Sequence, residues 1–267
     1  TLDLSTSIGS RLAELQARSW ITDVPVLRLR PFEKLAPLKE LWYSFFRTLA
    51  RISYGRADRI VSLFEANACL QRQLGAPGGS VSVIPNGIRP AEFDGIRTCA
   101  LEQPPPVIGF LGRIVRIKDI KTLLRAARIV LDRCPDARFV LVGDTGDDPE
   151  YFSECCALSQ QLDIGAGQLR FAGPMQREAL LRESSIMVLT STSEGLPFAV
   201  LEAMAAGLPV VATDTGACRE LLEGGPRESP WLGRAGFTTP VAEPLATALA
   251  LLRLIQNPGL QQRFGQS

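Results

Sequence analysis

The stretch SIMVLTSTSEGLPFAVLEAMAAGLPVVA, residues 185–212, decides the fold class of this chain. It contains a short apolar run, Ser185–Leu189, a polar loop, a helical segment over Pro197–Ala206 and a second apolar run, Leu208–Ala212. A strand that returns parallel to its neighbour needs a crossover of this length, and a helix usually supplies it. The stretch therefore predicts one strand–helix–strand unit of a parallel sheet.

The same alternation continues on both sides of this unit. Further strands are predicted at Val107–Leu111, Arg138–Val142, Leu169–Ala172 and, as a short edge strand, Gly236–Thr239. Helices are predicted at Ile120–Leu131, Pro149–Leu162, Gln176–Glu183, Cys218–Glu223 and Glu243–Ile255. Apolar strands that alternate with amphipathic helices are typical of a parallel sheet covered on both faces, with ligands bound beyond the carboxyl ends of the strands. We therefore expect an α/β domain over residues 104–267.

The chain before residue 104 is predicted to be a separate part. A helix is expected over Lys39–Tyr54, followed by a strand at Arg59–Leu63, a helix to about Leu74 and a strand at Val81–Ile84. The polar segment Arg89–Pro106 ends in three prolines and is predicted to be a linker. Residues 1–38 contain prolines that interrupt any helix.

Composition excludes several classes of protein. Of 267 residues, 46% are apolar and 21% charged, and the net charge of +1 gives no indication of a nucleic-acid partner. Histidine is absent, which excludes a histidine base, a histidine metal ligand and a Ser-His-Asp triad. The six cysteines form no Cys-x-x-Cys pair, so we expect no metal site and a reducing compartment, with most thiols acting as small buried groups.

Location is predicted from the apolar runs. The longest, Leu245–Ile255, is too short to span a bilayer, so we expect a soluble, cytoplasmic protein. The chain begins with Thr1, and we expect it to be a piece of a longer protein. Residues 28–59 carry a net charge of +5 together with Trp42, Phe45 and Phe46. That segment is either an interfacial helix that contacts a membrane or a helix that packs its aromatic face on its own domain.

The strongest candidate site is Ser193–Gly207, a loop that follows a strand and opens a helix. We expect Pro197 near the first helical position, where proline fits, and the free N–H groups there favour an anion. Glu194 and Glu202 are acceptor-only carboxylates, which suit the vicinal hydroxyls of a sugar. The alternative is structural: Glu194 favours the helix dipole, and Glu202 is a solvated helix residue.

A second candidate is Gly112–Asp119, which also leaves a strand end and starts a helix. Arg113 offers a planar guanidinium to a phosphate, and Lys118 offers a compact point charge. In the alternative, Arg113 pairs with a carboxylate at the end of the sheet and Lys118 is exposed. A third loop, Gly143–Asp148, lacks the G-x-G-x-x-G spacing and is equally an ordinary turn with an aspartate cap.

With these motifs the chain resembles the family 4 retaining glycosyltransferases of the GT-B fold, over roughly Trp42–Pro258. Two segments, Arg116–Lys121 and Thr213–Glu220, are similar in sequence to the Pel-exopolysaccharide glycosyltransferase subfamily, which is linked to UDP-glucose. The residues that carry the family resemblance are Val83–Ile88, Gly112 and Arg113 with Lys118, Phe171–Gly173, and the Glu194–Glu202 pair in its Ser-Glu-Gly-Leu-Pro setting.

The resemblance implies a role for each site residue. Arg113 and Lys118 would neutralise the diphosphate of a nucleotide-sugar donor, and Arg113, Lys118 and Glu194 would be the catalytic set. Glu202 would bind the ribose hydroxyls, and Glu194 the hydroxyls of the transferred sugar. The other donor-binding positions would be Gly112 and Leu201, the backbone of Gly195, Leu196 and Pro197, and Gly173 and Pro174 beside the base.

The resemblance also implies an activity: transfer of a hexose, expected to be glucose, from a UDP-sugar to a glycan acceptor in exopolysaccharide biosynthesis. Family members retain the anomeric configuration and generally need no metal, so no cofactor is expected beyond the donor. A GT-B enzyme has two Rossmann-like domains. Residues 1–103 would be the end of the acceptor-side domain and the linker, and residues 104–267 the donor-binding domain.

Other functions stay open at this point. The chain is either part of that transferase or a non-catalytic nucleotide-sugar-binding module. A sugar-nucleotide epimerase is disfavoured by the absence of histidine, and a phosphorylase by the absence of a lysine motif for a pyridoxal cofactor. The expected partners are the nucleotide-sugar donor and the glycan acceptor. Peripheral association with a membrane, or association with a polysaccharide-synthase complex, is also expected.

Overall fold

A computed structural model describes residues 36–96, 105–224 and 233–267. The chain divides into two compact units, one up to Ala57 and one over Asp58–Ser267. The second unit thus includes the segment 58–96, and the division into an acceptor-side domain over residues 1–103 and a donor-binding domain over residues 104–267 stays a prediction. The predictions for residues 1–35 and 97–104 lie outside the described residues.

The described part of the first unit is one helix, α1 (Ala36–Gly55), which confirms the helix predicted over Lys39–Tyr54. Its aromatic side chains contact each other: Trp42 and Phe46 meet edge to face with ring centroids 4.8 Å apart. Trp42 is 63% exposed and Phe45 is 58% exposed. No helix within the described ranges is both long enough and apolar enough to cross a bilayer. Contact of α1 with a membrane stays a prediction.

The second unit opens with a small parallel pair of strands. Strand β1 (Ile60–Ser62) leads through helix α2 (Glu65–Gln73) to strand β2 (Val81–Val83), as the sequence predicts. The segment predicted to be a linker differs from expectation at its start. It forms a 3₁₀ helix, Pro90–Phe93, and both Phe93 and Ile96 are only 2% exposed. Two apolar side chains three positions apart are enough to pack this polar segment onto the unit.

The rest of the second unit is a six-stranded sheet in which all paired strands run parallel, as predicted. The strands are β3 (Val107–Leu111), β4 (Arg138–Val142), β5 (Leu169–Gly173), β6 (Ile186–Leu189), β7 (Val210–Thr213) and β8 (Gly236–Thr239). The helices are α3 (Ile120–Leu131), α4 (Pro149–Gln161), α5 (Arg177–Glu183), α6 (Phe198–Ala205), α7 (Cys218–Glu223), α8 (Pro244–Ile255) and α9 (Pro258–Gln266).

The strand order β5-β4-β3-β6-β7-β8 fixes where a ligand can enter. The chain moves outward from β3 to β5, returns to place β6 on the other side of β3, and then moves outward to β8 at the edge. Right-handed crossovers in the two directions place helices on both faces of the sheet. The loops that follow β3 and β6 diverge to opposite faces, and this switch point is the usual ligand crevice of an open parallel sheet.

The central strands form the core because helices cover both of their faces. Ile108 and Phe110 of β3 are fully buried, and all four residues of β6 are buried. Such strands are continuous apolar runs rather than alternating ones, and this is why they could be predicted from the sequence.

Helix α9 was not predicted from the sequence. Its nine residues include two glycines and only two large apolar side chains, so the helical pattern is weak. Its packing depends instead on a close backbone approach: a Cβ at Gly265 would lie 2.1 Å from the carbonyl oxygen of Gly207.

The cysteines follow the prediction only in part. Cys155 and Cys218 are fully buried, and burial raises the pKa of Cys155 to about 12 and that of Cys218 to about 11. Both therefore stay neutral thiols near pH 7, as small buried groups do. Cys134 and Cys156 are half-buried, however, and Cys69 is exposed.

Candidate functional site

Three glycines build one part of the carboxyl edge of the sheet. Gly112 and Gly143 follow β3 and β4, and Gly173 ends β5. The Gly112 amide donates to the Val142 carbonyl at 2.9 Å, and the Gly143 amide donates to the Gly173 carbonyl at 3.0 Å. A Cβ at Gly143 would lie 1.8 Å from the Gly112 carbonyl oxygen, so no larger residue fits there. The main contact of the loop Gly143–Asp148 is therefore its backbone packing against the loop after β3.

Lys118 and Glu194 meet across the switch point. Lys118 ends the 3₁₀ helix Arg116–Lys118 after β3, and Glu194 lies in the loop after β6. The Lys118 Nζ and Glu194 Oε1 atoms are 2.6 Å apart, and the two side chains are 19% and 11% exposed. The loops are also joined by their backbones, since the Thr192 amide donates to the Ile117 carbonyl at 2.8 Å. The alternative in which Lys118 is simply exposed is therefore wrong.

Arg113 lies at the same edge but turns to a different partner. Its Nη1 atom is 2.8 Å from Oδ2 of Asp147, in the loop after β4, and its side chain is 64% exposed. This is the arrangement that the structural alternative described, a pair with a carboxylate at the end of the sheet. An ion pair this exposed contributes little stability, so the guanidinium can exchange Asp147 for another anion at small cost.

The loop that carries Glu194 is held from two sides. Asn86 donates from Nδ2 to the Leu196 carbonyl at 2.9 Å, and the Ala217 amide donates to the Gly195 carbonyl at 2.8 Å. Gly216 has a φ of +56°, and a Cβ there would lie 2.2 Å from the Gly195 oxygen and 2.4 Å from the Glu194 oxygen. Backbone packs directly on backbone, which fixes the direction of the loop.

Helix α6 starts one residue later than predicted. Pro197 has extended backbone angles and is the N-cap residue rather than the first helical residue, and no side chain caps the helix start. The Val200 amide donates to the Pro197 carbonyl at 3.2 Å, and the amides of Phe198 and Ala199 stay available to an anion in the first turn. Leu196 and Pro197, both buried, bring the chain to this point.

Glu202 lies inside α6 and is only 7% exposed, so its interpretation as a solvated helix residue is wrong. Its Oε1 atom accepts a hydrogen bond from Nη1 of Arg177, the first residue of α5, at 2.8 Å. The structure thus pairs Glu202 with an arginine that the sequence did not indicate, and it pairs Glu194 with a lysine that the sequence did indicate.

The remaining predicted positions share this edge of the sheet. Gly173 is the last residue of β5, and Pro174 follows it, exposed, on the way to α5. Leu201 is half-buried beside Glu202 on α6. Across residues 36–96, 105–224 and 233–267, no group of three or more aspartate, glutamate or cysteine side chains is placed to hold a metal ion.

Two family models match the sequence. The model described as glycosyl transferases group 1 matches residues 105–257, which is more than half of the chain. A model described as a domain of unknown function, DUF3492, matches residues 10–78. The first match covers all the predicted site residues.

The chain also resembles known proteins. It is 29% identical over 213 residues to a D-inositol 3-phosphate glycosyltransferase of Corynebacterium jeikeium, a match that covers 78% of this chain and 48% of the relative. The chain therefore spans about half the length of the curated relatives it matches.

Solved structures show the same fold. HepE from Anabaena in complex with UDP has a TM-score of 0.67 at 21% identity, covering 82% of this chain and 61% of that one. HepE has also been solved with UDP-glucose. Sucrose-phosphate synthase from Thermosynechococcus elongatus has a TM-score of 0.65 at 22% identity, covering 82% of this chain and 54% of that one. The expected GT-B type of α/β fold is confirmed, and the chain belongs to the glycosyl transferases group 1 family.

Proposed function

We propose that the protein is a retaining, family 4 type glycosyltransferase that transfers glucose from UDP-glucose to a glycan acceptor in exopolysaccharide biosynthesis. The observation that carries this proposal is the Lys118–Glu194 pair across the switch point, next to the uncapped start of α6. A cation, a carboxylate and free backbone amides in one crevice match the diphosphate and the sugar hydroxyls of a nucleotide sugar.

The diphosphate would bind between Lys118, Arg113 and the first turn of α6. The cations and the helix start oppose the negative charge that builds on the leaving diphosphate when the glycosidic bond breaks. Fixed charges placed where charge develops are usually a large part of catalysis. We therefore propose that these groups supply most of the leaving-group stabilisation and that no metal or cofactor is needed beyond the donor.

The two carboxylates would hold the two ends of the donor. Glu202 is buried with one oxygen occupied by Arg177, and we assign it to the ribose hydroxyls. Glu194 is assigned to the hydroxyls of the transferred sugar, and Gly173 and Pro174 to the side of the pocket that takes the base. Ionised carboxylates only accept hydrogen bonds, so both suit hydroxyl groups.

Two comparisons support the choice of donor and acceptor. HepE, which shares the fold, binds UDP and UDP-glucose in its crystal structures. The glycan acceptor rests on the resemblance of Arg116–Lys121 and Thr213–Glu220 to the Pel subfamily, whereas the curated relative is named for D-inositol 3-phosphate. A cytoplasmic location and association with a membrane or synthase complex belong to the same proposal. Because the chain spans about half of its relatives, transfer is ascribed to the complete protein.

Calorimetry on this chain tests the donor site. UDP and UDP-glucose are expected to bind, and more tightly than the GDP and ADP equivalents. Lys118→Ala and Arg113→Ala should weaken UDP and UDP-glucose alike and leave uridine binding unchanged. The matched control is Arg138→Ala, an exposed arginine at the amino end of β4 on the opposite edge of the sheet.

The result that would overturn the proposal is equally specific. If Lys118→Ala weakens uridine as much as UDP, Lys118 acts structurally and the diphosphate assignment is wrong. If the complete protein binds UDP-glucose but transfers glucose to no glycan, the chain is a nucleotide-sugar-binding module instead.

A further inference from the structure

Arg177 is the centre of a cluster of three carboxylates from three parts of the chain. Its Nη1 atom donates to Glu202 at 2.8 Å and its Nε atom donates to Glu178 at 2.8 Å. Its Nη2 atom donates to Glu92 of the 3₁₀ helix Pro90–Phe93. Each guanidinium nitrogen therefore has its own carboxylate.

The guanidinium is also held from a fourth direction. Its central carbon lies 5.2 Å from the ring centroid of Phe93, which is itself buried. A planar guanidinium with all three nitrogens engaged and an aromatic ring against it has one orientation. The Nη1 donor is therefore aimed in a fixed direction at the Glu202 carboxylate.

Glu202 depends on this donor. The residue is 7% exposed, and a buried carboxylate without a partner turns to solvent or takes up a proton. Arg177 occupies Oε1 only, and within the described residues Oε2 accepts no hydrogen bond. The arrangement fixes the direction of the carboxylate and leaves one oxygen for a ligand.

We propose that Arg177 is a positioning residue that fixes Glu202 for recognition of the ribose hydroxyls of a nucleoside diphosphate. This inference rests on the proposed function, because it assumes that Glu202 binds the ribose. Arg177 itself does not touch the nucleotide in this proposal. It acts by holding the side chain that does.

The test compares UDP with 2′,3′-dideoxyuridine diphosphate, which lacks both ribose hydroxyls. The ratio of the two affinities isolates the contribution of the hydroxyls, whereas a general loss of folding or a change in charge affects both ligands alike. We expect the wild-type chain to prefer UDP about tenfold, since the hydrogen bonds involve a charged acceptor. Glu202→Ala should reduce the preference to about one.

Arg177→Ala is expected to reduce the preference to about one as well, and to have no further effect on the ratio in a Glu202→Ala background. Arg177→Lys keeps the charge near Phe93 and covers the case in which the alanine variant does not fold. It should lower the preference severalfold, because one ammonium group lacks the fork that reaches three carboxylates. The matched control is Arg170→Ala. Arg170 lies in β5 and forms an exposed ion pair with Glu183, which is on α5 like Arg177, so its loss should leave the ratio unchanged.

The outcomes separate the two proposals. If the wild-type chain binds UDP and its dideoxy analogue equally, or if Glu202→Ala keeps the preference, the ribose assignment under the proposed function is wrong. If the preference is present and is lost in Glu202→Ala but survives in both Arg177 variants, only the positioning role of Arg177 is overturned.

Discussion

Lys118 and Glu194 are each other's counter-ions, yet we assign them to different parts of the donor, the diphosphate and the sugar. A diphosphate that approaches Lys118 has to compete with the Glu194 carboxylate 2.6 Å away. The same pair therefore limits diphosphate affinity and holds a sugar-binding carboxylate in place. This double role has a measurable consequence for variants at Glu194.

Glu194→Gln keeps the shape and a hydrogen bond but removes the competing charge. We expect UDP to bind severalfold tighter, because the neutral amide no longer competes with the diphosphate for Lys118, and we expect the added affinity from the glucose of UDP-glucose to be lost. Calorimetry with both ligands measures the two effects, and Glu183→Gln, at an exposed pair with Arg170, is the control. Weaker UDP binding in Glu194→Gln would contradict the competition argument.

The place of single residues at the carboxyl edge could be predicted where it followed from the strand ends, whereas their roles toward a donor stay predictions. Lys118, Glu194 and Arg113 were predicted because parallel strands bring their following loops to one edge. Arg177 was not, since its contact with Glu202 depends on how α5 and α6 pack against the sheet, and no local pattern reports that. The burial of Glu202 has the same origin: its neighbours on α6 are apolar, but the helix face that is covered is set by the fold.

At the scale of elements, the loop after β6 is locked onto the loop after β7 by Gly216. Gly216→Ala places a Cβ 2.2 Å from the Gly195 oxygen at a φ of +56°. The left-handed backbone alone costs about 1–2 kcal/mol for a residue with a side chain, and the close contact adds to it. We expect a clear drop in the free energy of unfolding, measured by urea denaturation, and weaker UDP binding.

Gly259→Ala is the matched control for this change. Nothing lies within 4 Å of a Cβ at Gly259, which belongs to helix α9, so alanine there should be neutral or slightly stabilising. Equal stability of the two alanine variants would show that the β6 and β7 loops are not packed as described.

Ion pairs between α3, α4 and the 3₁₀ helix before α3 give a prediction about acid. Arg116 donates to Glu154 at 2.8 Å, and Lys121 also pairs with Glu154. These hydrogen bonds lower the pKa of Glu154 from 4.5 to about 2, and the bond from Arg116 has the largest effect. A lowered carboxyl pKa stabilises the folded state above pH 4.5, and the contribution disappears as the pH falls toward 2.

Glu154→Gln should therefore be less stable than the wild-type chain at pH 7, and the difference should shrink steadily as the pH falls from 4.5 through about 2. Urea denaturation at a series of pH values measures this convergence. Added salt at pH 7 should also shrink the difference, because both side chains of the pair are partly exposed. A difference that stays constant down to pH 2 would rule out the ion pair as its cause.

The strands of the large sheet and the helices between them were predicted to within one or two residues, because each of these strands is a compact apolar run between turn residues. The exceptions are instructive. The 3₁₀ helix Pro90–Phe93 and helix α9 are short, polar in composition and stabilised by contacts with distant segments. Periodicity cannot reveal such elements, since they carry too few apolar residues to show a period.

At the scale of the whole molecule, the proposed mechanism predicts how the complete enzyme behaves toward chelators. Lys118, Arg113 and the start of α6 are proposed to compensate the charge of the leaving diphosphate. We therefore expect transfer from UDP-glucose to continue in EDTA and to give an α-linked product. Product analysis by NMR, with and without EDTA, measures both properties. Activity lost in EDTA and restored by magnesium, or a β-linked product, would contradict the mechanism.

The strand order has a consequence for how the protein folds. Lys118 and Glu194 are 76 residues apart in sequence and meet only where β3 pairs with β6, the seam between the two halves of the sheet. Neither half alone contains a complete site. A ligand that bridges the two loops therefore binds only after the seam has closed, and it stabilises the joined state by mass action. We therefore expect a bound nucleotide to hold the loops after β3 and β6 together, so that the two halves of the sheet unfold more cooperatively.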